Sequence, residues 1–267
     1  MCATCGCGET GGIRVQALAP HEHEHPHEHA HPPEHEHPPE HPHEPVPGTV
    51  EIETALLAKN DHLAGHNRGW LAERGIVALN LMSSPGSGKT SLLRRTITTL
   101  APTRVVGVIE GDQETLIDAQ KIRATGAPVV QINTGSGCHL DADMLARGLR
   151  ELGPVDDSLV FIENVGNLVC PALFDLGEAA KVVVVSVTEG DDKPLKYPHM
   201  FAAADVVVIN KIDLLPYLDV DLADLVAHCR AVNPAVRILP LSVTTGEGFD
   251  AWCEWLAADW SALRART

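Results

Sequence analysis

The segment NLMSSPGSGKTSLL, residues 80–93, limits the possible folds of this chain more than any other. It follows a short apolar run and opens a helix-like stretch, which is the context of a phosphate-binding loop rather than of a chance glycine-rich turn. Glycines in the loop let backbone N–H groups converge on phosphate oxygens beside the helix amino end. The place of the loop's usual first glycine is taken by Ser83. The predicted phosphate-binding residues are Ser84, Gly86, Ser87, Gly88, Lys89, Thr90 and Ser91, with Lys89 reaching the β- and γ-phosphates and Thr90 binding Mg²⁺.

Strand-like apolar runs alternate with amphipathic segments along most of the chain. This alternation predicts an α/β fold, a doubly wound and mostly parallel sheet of about seven strands, with ligands at the carboxyl ends of the strands. Aromatic residues make up only 4% of the chain, so aliphatic side chains must build the core. The predicted strands are 76–82, 104–110, 128–133, 159–163, 181–187, 205–210 and 236–241. Helices are expected near 90–100, 113–124, 139–150, 219–232 and 248–262, after a leading helix from about Val50 to Leu71.

The tetrapeptide NKID, residues 210–213, indicates which base the nucleotide carries. The Asp213 carboxylate can accept from both N1–H and the exocyclic amine of guanine, donors that adenine lacks. Lys211 would cover the base plane, and Asn210 would tie this loop to the phosphate side. Backbone groups of LSVTT, residues 241–245, could contact the guanine oxygen, so Ser242 and Val243 join Asn210, Lys211 and Asp213 as predicted guanine-binding residues. The predicted ligand is GTP or GDP.

Two further segments supply candidates for γ-phosphate sensing and catalysis. In FIENVGN, residues 161–167, Gly166 could donate its N–H to the γ-phosphate and Glu163 could hold Mg²⁺ through a water. In EGDQET, residues 110–115, Asp112 could bind Mg²⁺ or order a water; its alternative role is to cap a helix beginning at Gln113. The predicted catalytic residues are Lys89, Asp112 and Glu163, and the predicted magnesium ligands are Thr90, Asp112 and Glu163. No glutamine equivalent to the water-positioning one of small signalling GTPases is apparent, so slow hydrolysis that a partner or dimerisation accelerates is expected.

Composition excludes several functional classes. The formal net charge of −16 argues against nucleic acid or an anionic membrane as partner. Neither a membrane-spanning run nor the apolar core of a signal peptide is recognisable, which predicts a cytoplasmic protein without membrane insertion. In a reducing compartment the seven cysteines are more plausibly metal ligands, reactive thiols or core residues than disulfides. Cys229 and Cys253 lie in helix-like segments and are expected to pack in the core.

The amino end, MCATCGCG, predicts a nickel site at residues 1–8. If Met1 is removed, the free amine of Cys2 joins the thiolates of Cys2, Cys5 and Cys7, a set that suits the tetragonal geometry of Ni²⁺. A chance cluster or a redox Cys-x-x-Cys is the alternative.

Residues 9–47 are predicted to be a disordered tether, because they are rich in proline and poor in apolar side chains. Between His21 and Glu44 the chain is almost entirely histidine, glutamate and proline. Imidazoles bind Ni²⁺ and Zn²⁺, so many weak sites on an extended string would buffer metal. A merely solvated acidic linker is the alternative. The remaining residues, 48–267, are predicted to form a GTP-binding domain with a leading helix.

A third cysteine set lies inside this domain. TGSGCHLDADML, residues 134–145, places Cys138 and His139 at the amino end of a predicted helix, where the dipole favours thiolate. Cys170 follows the Glu163/Gly166 segment closely. We expect Cys138, His139 and Cys170 to hold nickel or zinc and to respond to the nucleotide; a buried cysteine and an unrelated surface histidine are the alternative.

Together, MCATCGCG, the histidine-rich tether, SSPGSGKT, EGD, TGSGCHLDA, ENVGNLVCP and NKID resemble the HypB family of GTPases that help to insert nickel into [NiFe] hydrogenase. The resemblance implies a G domain of the SIMIBI class that forms a homodimer when GTP-bound. It also implies a HypA-type nickel chaperone and the hydrogenase large-subunit precursor as partners. It assigns the high-affinity nickel site to the amino-terminal cysteines and a second metal site to Cys138, His139 and Cys170.

Three other functions are compatible with parts of the sequence. A nickel-storage protein would explain the tether but not the nucleotide motifs. A urease-type nickel GTPase shares those motifs, but a Cys-Pro-His element is expected there and this chain has Cys138-His139-Leu140. A P-loop kinase is disfavoured by NKID.

Overall fold

The computed structural model describes residues 47–112, 117–135, 137–258 and 260–266, with side chains described from Thr54 onward. Its centre is a seven-stranded, all-parallel sheet with the strand order β3-β2-β4-β1-β5-β6-β7. The predicted doubly wound α/β fold is confirmed. The strands are β1 Val77–Ser83, β2 Val106–Asp112, β3 Val129–Asn133, β4 Leu159–Glu163, β5 Ala180–Ser186, β6 Val206–Asn210 and β7 Arg237–Pro240.

Helices cover both faces of the sheet. They are α1 Pro47–Glu73, α2 Lys89–Leu100, α3 Ile117–Arg123, α4 Ala142–Leu152, α5 Cys170–Leu173, α6 Lys193–Lys196, α7 Pro198–Ala202, α8 Leu222–Val232, α9 Phe249–Ala258 and α10 Trp260–Arg264. The single helix predicted over 248–262 is described as α9 and α10, and Asp259 between them is outside the described residues. No helix in the described ranges is long and apolar enough to cross a lipid bilayer.

Alternating side chains of each strand pack into separate layers of the core, one on each face of the sheet. On β1, Val77, Leu79 and Leu81 pack with buried residues of α2 and α9. Ala78 faces the opposite layer, where it packs with residues of α1 and α4. Burial on both faces explains why the strands are continuous aliphatic runs with few polar positions.

The parallel register brings the ends of three strands to one edge. Glu163 of β4 lies opposite Leu81 of β1 and Glu110 of β2. The loop after β1 therefore begins beside the acidic ends of β2 and β4. This edge holds most of the predicted site residues.

Candidate functional site

The loop between β1 and α2 has the conformation that its glycines allow. Gly86 and Gly88 have φ values of 80° and 102°, in the region that side chains disfavour. A Cβ at Gly88 would lie 2.4 Å from Asn210 Nδ2. Asn210 Nδ2 donates to the Ser87 carbonyl over 2.9 Å, so glycine at 88 is required for the guanine-motif asparagine to reach the loop.

Lys89 opens α2 and is buried. Its Nζ donates to Ser83 Oγ over 2.8 Å. Burial lowers the pKa of Lys89, and nearby carboxylates, with Glu163 first, oppose that effect. The serine in place of the usual first glycine thus has a structural role, because its hydroxyl positions the phosphate-binding lysine.

Acidic side chains meet Thr90 at the carboxyl ends of β2 and β4. Thr90 Oγ1 donates to Glu163 Oε1 over 2.7 Å, and Glu163 Oε2 is buried without a hydrogen-bond partner among the described residues. Burial raises the pKa of Glu163, while Lys89 and the Thr90 hydrogen bond lower it. Asp112 lines the same cavity of about 520 Å³. Hydroxyl and carboxylate oxygens of this kind fit a hard divalent cation such as Mg²⁺.

Glu110 is a site residue that sequence reasoning missed. It is buried beside Glu163, and burial, helped by Glu163 and Asp112, raises its pKa to about 8. The motif EGD contained the signal, because a glutamate at a buried strand end of a phosphate-loop sheet must face the site or a partner. Asp118 and Lys121 of α3, which form an ion pair of 2.7 Å, also line the cavity and were not predicted.

Asn210 lies at the centre of the predicted guanine-binding region. Its Oδ1 accepts from the Val243 backbone N–H over 3.2 Å, which joins NKID to LSVTT. Lys211 donates from Nζ to the Gly86 carbonyl over 2.7 Å, so its stem runs toward the phosphate loop. Asp213 Oδ1 is buried and has no partner in the described part of the chain. Asn210 ties this loop to the phosphate loop through the Ser87 carbonyl, the base contacts of Lys211 and Asp213 stay predictions, and Ser242 is buried beside them.

Cys138, His139 and Cys170 come together although 32 residues separate the two cysteines. One ligand atom from each lies within 4.8 Å of the others. The two Sγ atoms are 2.7 Å apart, and Cys138 Sγ is 3.7 Å from His139 Nδ1. The thiol and imidazole donor set fits Ni²⁺ or Zn²⁺.

The surroundings of His139 favour the neutral form of its ring. Its ring stacks on Phe174, with centroids 3.9 Å apart. Burial lowers the pKa of His139, and Asp141 partly opposes this. Phe174 was not predicted from the sequence, because nothing in the local pattern shows that it meets residue 139.

The predicted position of Cys138 at a helix amino end is wrong. Helix α4 begins at Ala142, and the Asp141 side chain caps it by accepting from the Met144 N–H over 2.7 Å. Because the short Asp141 carboxylate satisfies one of the free N–H groups of the first turn, the helix starts there and Cys138 lies in the preceding loop. The dipole effect expected for its thiol therefore has no basis in this geometry.

One segment, residues 161–170, contacts both the nucleotide cavity and the cysteine cluster. Asn164 Oδ1 accepts from the Leu140 N–H over 3.1 Å, and Asn167 Oδ1 accepts from the Cys170 N–H over 3.3 Å. Gly166 packs against the phosphate loop, where an added Cβ would lie 3.2 Å from Pro85 Cγ. Leu140 also packs against β2, since a Cβ at Gly111 would lie 2.7 Å from Leu140 Cγ.

The remaining predictions fall on other parts of the chain. Cys2, Cys5, Cys7 and the predicted tether up to residue 46 lie outside the described residues, as do Gln113 and the next three residues. Cys229 is fully buried, and Cys253 packs against the core while partly exposed, as expected for packing residues.

The fold and the site define a P-loop nucleotide-binding protein of the GTPase class, with two cysteines and a histidine grouped close to the phosphate loop. The family model described as CobW/HypB/UreG, nucleotide-binding domain, matches residues 77–240. The hydrogenase maturation factor HypB of Escherichia coli K12 is 46% identical over 96% of this chain and 98% of its own length. The chain therefore belongs to the CobW/HypB/UreG family and, within it, to the HypB hydrogenase maturation factors.

Solved structures agree with this assignment. The crystal structure of HypB from Archaeoglobus fulgidus is 42% identical, with a TM-score of 0.72 over 76% of this chain and all of that one. HypB from Helicobacter pylori, solved in complex with nickel, is 36% identical, with a TM-score of 0.72 over 76% of this chain and 96% of that one.

Proposed function

We propose that this protein is a GTP-hydrolysing nickel metallochaperone that stores nickel and delivers it to the [NiFe] hydrogenase large-subunit precursor. One observation carries the proposal. The segment that begins with the Thr90 partner Glu163 ends at Cys170, which contacts Cys138 in the cysteine cluster. Family membership and the nickel complex of the H. pylori relative support nickel as the cargo.

The nucleotide reaction uses groups at the carboxyl ends of β1, β2 and β4. Lys89, held by Ser83, is placed to neutralise charge on the β- and γ-phosphates. Thr90, Asp112 and Glu163 would hold Mg²⁺, which neutralises phosphate charge during transfer. The Gly166 N–H lies in the segment that packs on the phosphate loop, where it would report the γ-phosphate.

The distance between the two cysteine sulfurs supports coupling of metal binding to the nucleotide. Two thiolates that share one ion at about 2.3 Å lie roughly 3.3–3.8 Å apart, according to the angle at the metal. The Sγ atoms of Cys138 and Cys170 are 2.7 Å apart. They must therefore separate by roughly 0.6–1.1 Å before both can bind one ion. Movement of residues 161–170 with the γ-phosphate would make that adjustment and change the metal affinity.

The other parts of the proposal concern residues and partners beyond the described site. Cys2, Cys5 and Cys7 would form the high-affinity nickel site, and the histidine-rich tether would buffer nickel and zinc. A GTP-bound homodimer, a HypA-type nickel chaperone and the hydrogenase precursor would be the assembly in which nickel passes on. The protein would act in the cytoplasm.

The proposal is tested by measuring nickel binding in full-length protein that carries C2S, C5S and C7S. Charge-transfer absorbance between thiolate and Ni²⁺ then reports on the remaining cysteines, and the histidines do not contribute to it. Ni²⁺ is titrated in the GDP state and with a non-hydrolysable GTP analogue, and the titrations are repeated with C138S or C170S added. C253S is the matched control, because Cys253 packs against the core away from the cluster.

We expect nickel affinity to differ by fivefold or more between the nucleotide states, corresponding to about 1 kcal/mol of coupling. C138S and C170S should abolish the absorbance, and C253S should leave it unchanged. Equal affinity in both nucleotide states would refute the coupling, and absorbance that persists in both C138S and C170S would refute the assigned ligands.

A further inference from the structure

Five of the fifteen histidines lie outside the histidine-rich stretch, and two of these form a pair on α1. His62 and His66 are one helical turn apart, both exposed, with their Nε2 atoms 3.2 Å apart. Their rings meet edge to face, with centroids 4.7 Å apart. The two Nε2 atoms therefore face each other at the solvent side of the helix, at a distance that a hydrogen bond between the neutral rings also allows.

We propose that His62 and His66 form a two-imidazole site for a divalent transition-metal ion on the outer face of α1. Two imidazole nitrogens bound to one ion at about 2.0–2.1 Å lie about 2.9 Å apart at a right angle and about 3.4 Å apart at a tetrahedral angle. The observed 3.2 Å falls between these values, so the two nitrogens have the separation that one shared ion requires, and rotation of the exposed rings would direct both lone pairs to it. Imidazole is a ligand that suits Ni²⁺, Cu²⁺ and Zn²⁺ alike.

The backbone that carries the pair is fixed from the opposite side of the helix. Asn60 and Asn67 bond to backbone groups of Ala142, Asp175 and Leu176, and Arg68 pairs with Asp175 at 2.8 Å. At about 100° per residue, His62 and His66 lie about 200° and about 240° around the helix from Asn60, on the solvent side. The anchored helix therefore holds the one-turn spacing before a metal arrives, which reduces the entropy lost on binding.

The neighbouring surface leaves room for an ion and its other ligands. Gly65 and Gly69 lie on the same exposed side of α1, and a Cβ built at either position would meet nothing within 4 Å. Glycine inside a helix costs about 0.5–1 kcal/mol relative to alanine, and packing does not require it at these two positions. Two protein ligands leave the other coordination positions open to exchange, which favours transfer of the ion over permanent retention.

The His62–His66 site is separate from the cluster of Cys138, His139 and Cys170, although residues that follow the cluster in sequence contact α1. Ala142 follows that cluster by three residues, and Asp175 follows Cys170 by five, and both bond to α1. The test below does not depend on nucleotide, on Cys138 or on the GTP reaction. Its failure would leave the proposed nickel delivery unaffected.

The test is acylation of histidine by diethyl pyrocarbonate in the full-length protein, with and without Ni²⁺, followed by mass spectrometry of tryptic peptides. Trypsin cleaves after Lys59 and Arg68, so His62 and His66 are the two histidines of one peptide, residues 60–68. His199 is exposed in α7 and lies on a different peptide, residues 197–211. The readout is therefore local and is not confused with metal bound by the ten histidines between His21 and His43.

We expect Ni²⁺ to slow acylation of both His62 and His66, about tenfold when free Ni²⁺ exceeds the Kd about tenfold. Acylation of His199 should not change. In H66N the protection of His62 should be lost, and in H62N that of His66, because one imidazole alone binds weakly. H199N, the matched control, should leave the pair fully protected.

Two results would overturn the proposal. One is acylation of His62 and His66 at the same rate without Ni²⁺ and with enough Ni²⁺ to saturate every metal-binding site of the protein. The other is undiminished protection of His62 in H66N. Both variants replace exposed side chains, and unchanged GDP binding verifies that each is folded.

Discussion

Asn164 Oδ1 accepts a hydrogen bond from the Leu140 backbone N–H over 3.1 Å. Asn164 follows Glu163, the partner of Thr90, and Leu140 follows His139 of the Cys138–His139–Cys170 cluster. Asn164 Nδ2 donates to Asn80 Oδ1, and Asn80 Nδ2 in turn donates to Glu178. One buried amide therefore joins the end of β4 to the loop that carries Cys138 and His139.

We predict that N164A uncouples metal binding from the nucleotide. Alanine removes the acceptor for Leu140 and leaves buried N–H groups unpaired, at about 1–3 kcal/mol each. The nickel affinity of the cluster, measured by thiolate charge transfer, should then become equal in the GDP and GTP-analogue states. The matched control is N80A, which breaks the same network but keeps the Leu140 bond, so it should lose stability and retain the difference in affinity. If N164A retains the difference, the coupling does not pass through this amide.

A second prediction concerns the base. In D213N the carboxylate that would accept two guanine donors becomes an amide, so GDP affinity should fall by about two to three orders of magnitude. Affinity for the xanthine nucleotide should rise, because its second carbonyl can accept from the new amide. Binding of GDP and XDP measured by calorimetry tests both effects. D219N, which removes a charge from an exposed site, should leave both affinities unchanged. A D213N protein that keeps its preference for GDP would contradict the predicted role.

The parts of this site that the sequence revealed are those determined by local chemistry. The phosphate loop needs glycine at fixed positions, and Asp213 and Asn210 lie in one tetrapeptide at a strand end. Apolar runs of β-branched residues such as Val182–Val185 identified central strands because both faces of the sheet are buried. The pairing of Cys138 with Cys170 was predictable because both follow strands whose carboxyl ends share one edge.

The parts that could not be predicted depend on contacts between distant segments. Asn164 carries no local pattern that distinguishes it from a loop residue, and its partners Asn80 and Leu140 lie on other elements. The motif EGD indicated that Glu110 ends a strand near the site, but its position opposite Glu163 depends on the register between β2 and β4. The start of α4 was misplaced because hydrophobic periodicity does not reveal which polar side chain caps the helix.

The third prediction is that Glu110 makes the stability of nucleotide-free protein depend on pH. Its pKa is raised from 4.5 to about 8, so the folded protein keeps a proton between these values that the unfolded chain has released. The free energy of unfolding should therefore fall as pH rises from about 4.5 to about 8 and then level off. One unit of pKa shift corresponds to about 1.4 kcal/mol, so the total change is several kcal/mol at most.

E110Q should flatten this dependence, because the amide cannot ionise. Thermal unfolding of the wild type and the variant between pH 5 and pH 9 should give similar stability at the acid end and a more stable variant at the alkaline end. The slope should shrink rather than vanish, because burial also raises the pKa of Glu163. The exposed E254Q is the control and should follow the wild-type curve. An E110Q slope equal to that of the wild type would show that Glu110 is ionised in the folded protein.

The fourth prediction concerns a polar contact inside the core between α2 and α9. Trp252 Nε1 donates to Thr96 Oγ1 over 2.9 Å, and both residues are fully buried. T96V preserves shape but leaves the indole N–H unpaired, which should cost about 1–3 kcal/mol. At about 2–4 °C per kcal/mol for a domain of this size, Tm should fall by roughly 2–12 °C.

Thr98 on the same helix provides the matched control for T96V. It is exposed and, like Thr96, donates its hydroxyl to the carbonyl four residues earlier. T98V therefore makes the same chemical change without disturbing Trp252, and exposed substitutions usually alter stability by about 0.5 kcal/mol or less. Urea unfolding followed by tryptophan fluorescence measures both variants. Equal losses in T96V and T98V would show that the cost comes from the helix backbone contact, and a loss confined to T96V would assign it to the buried indole bond.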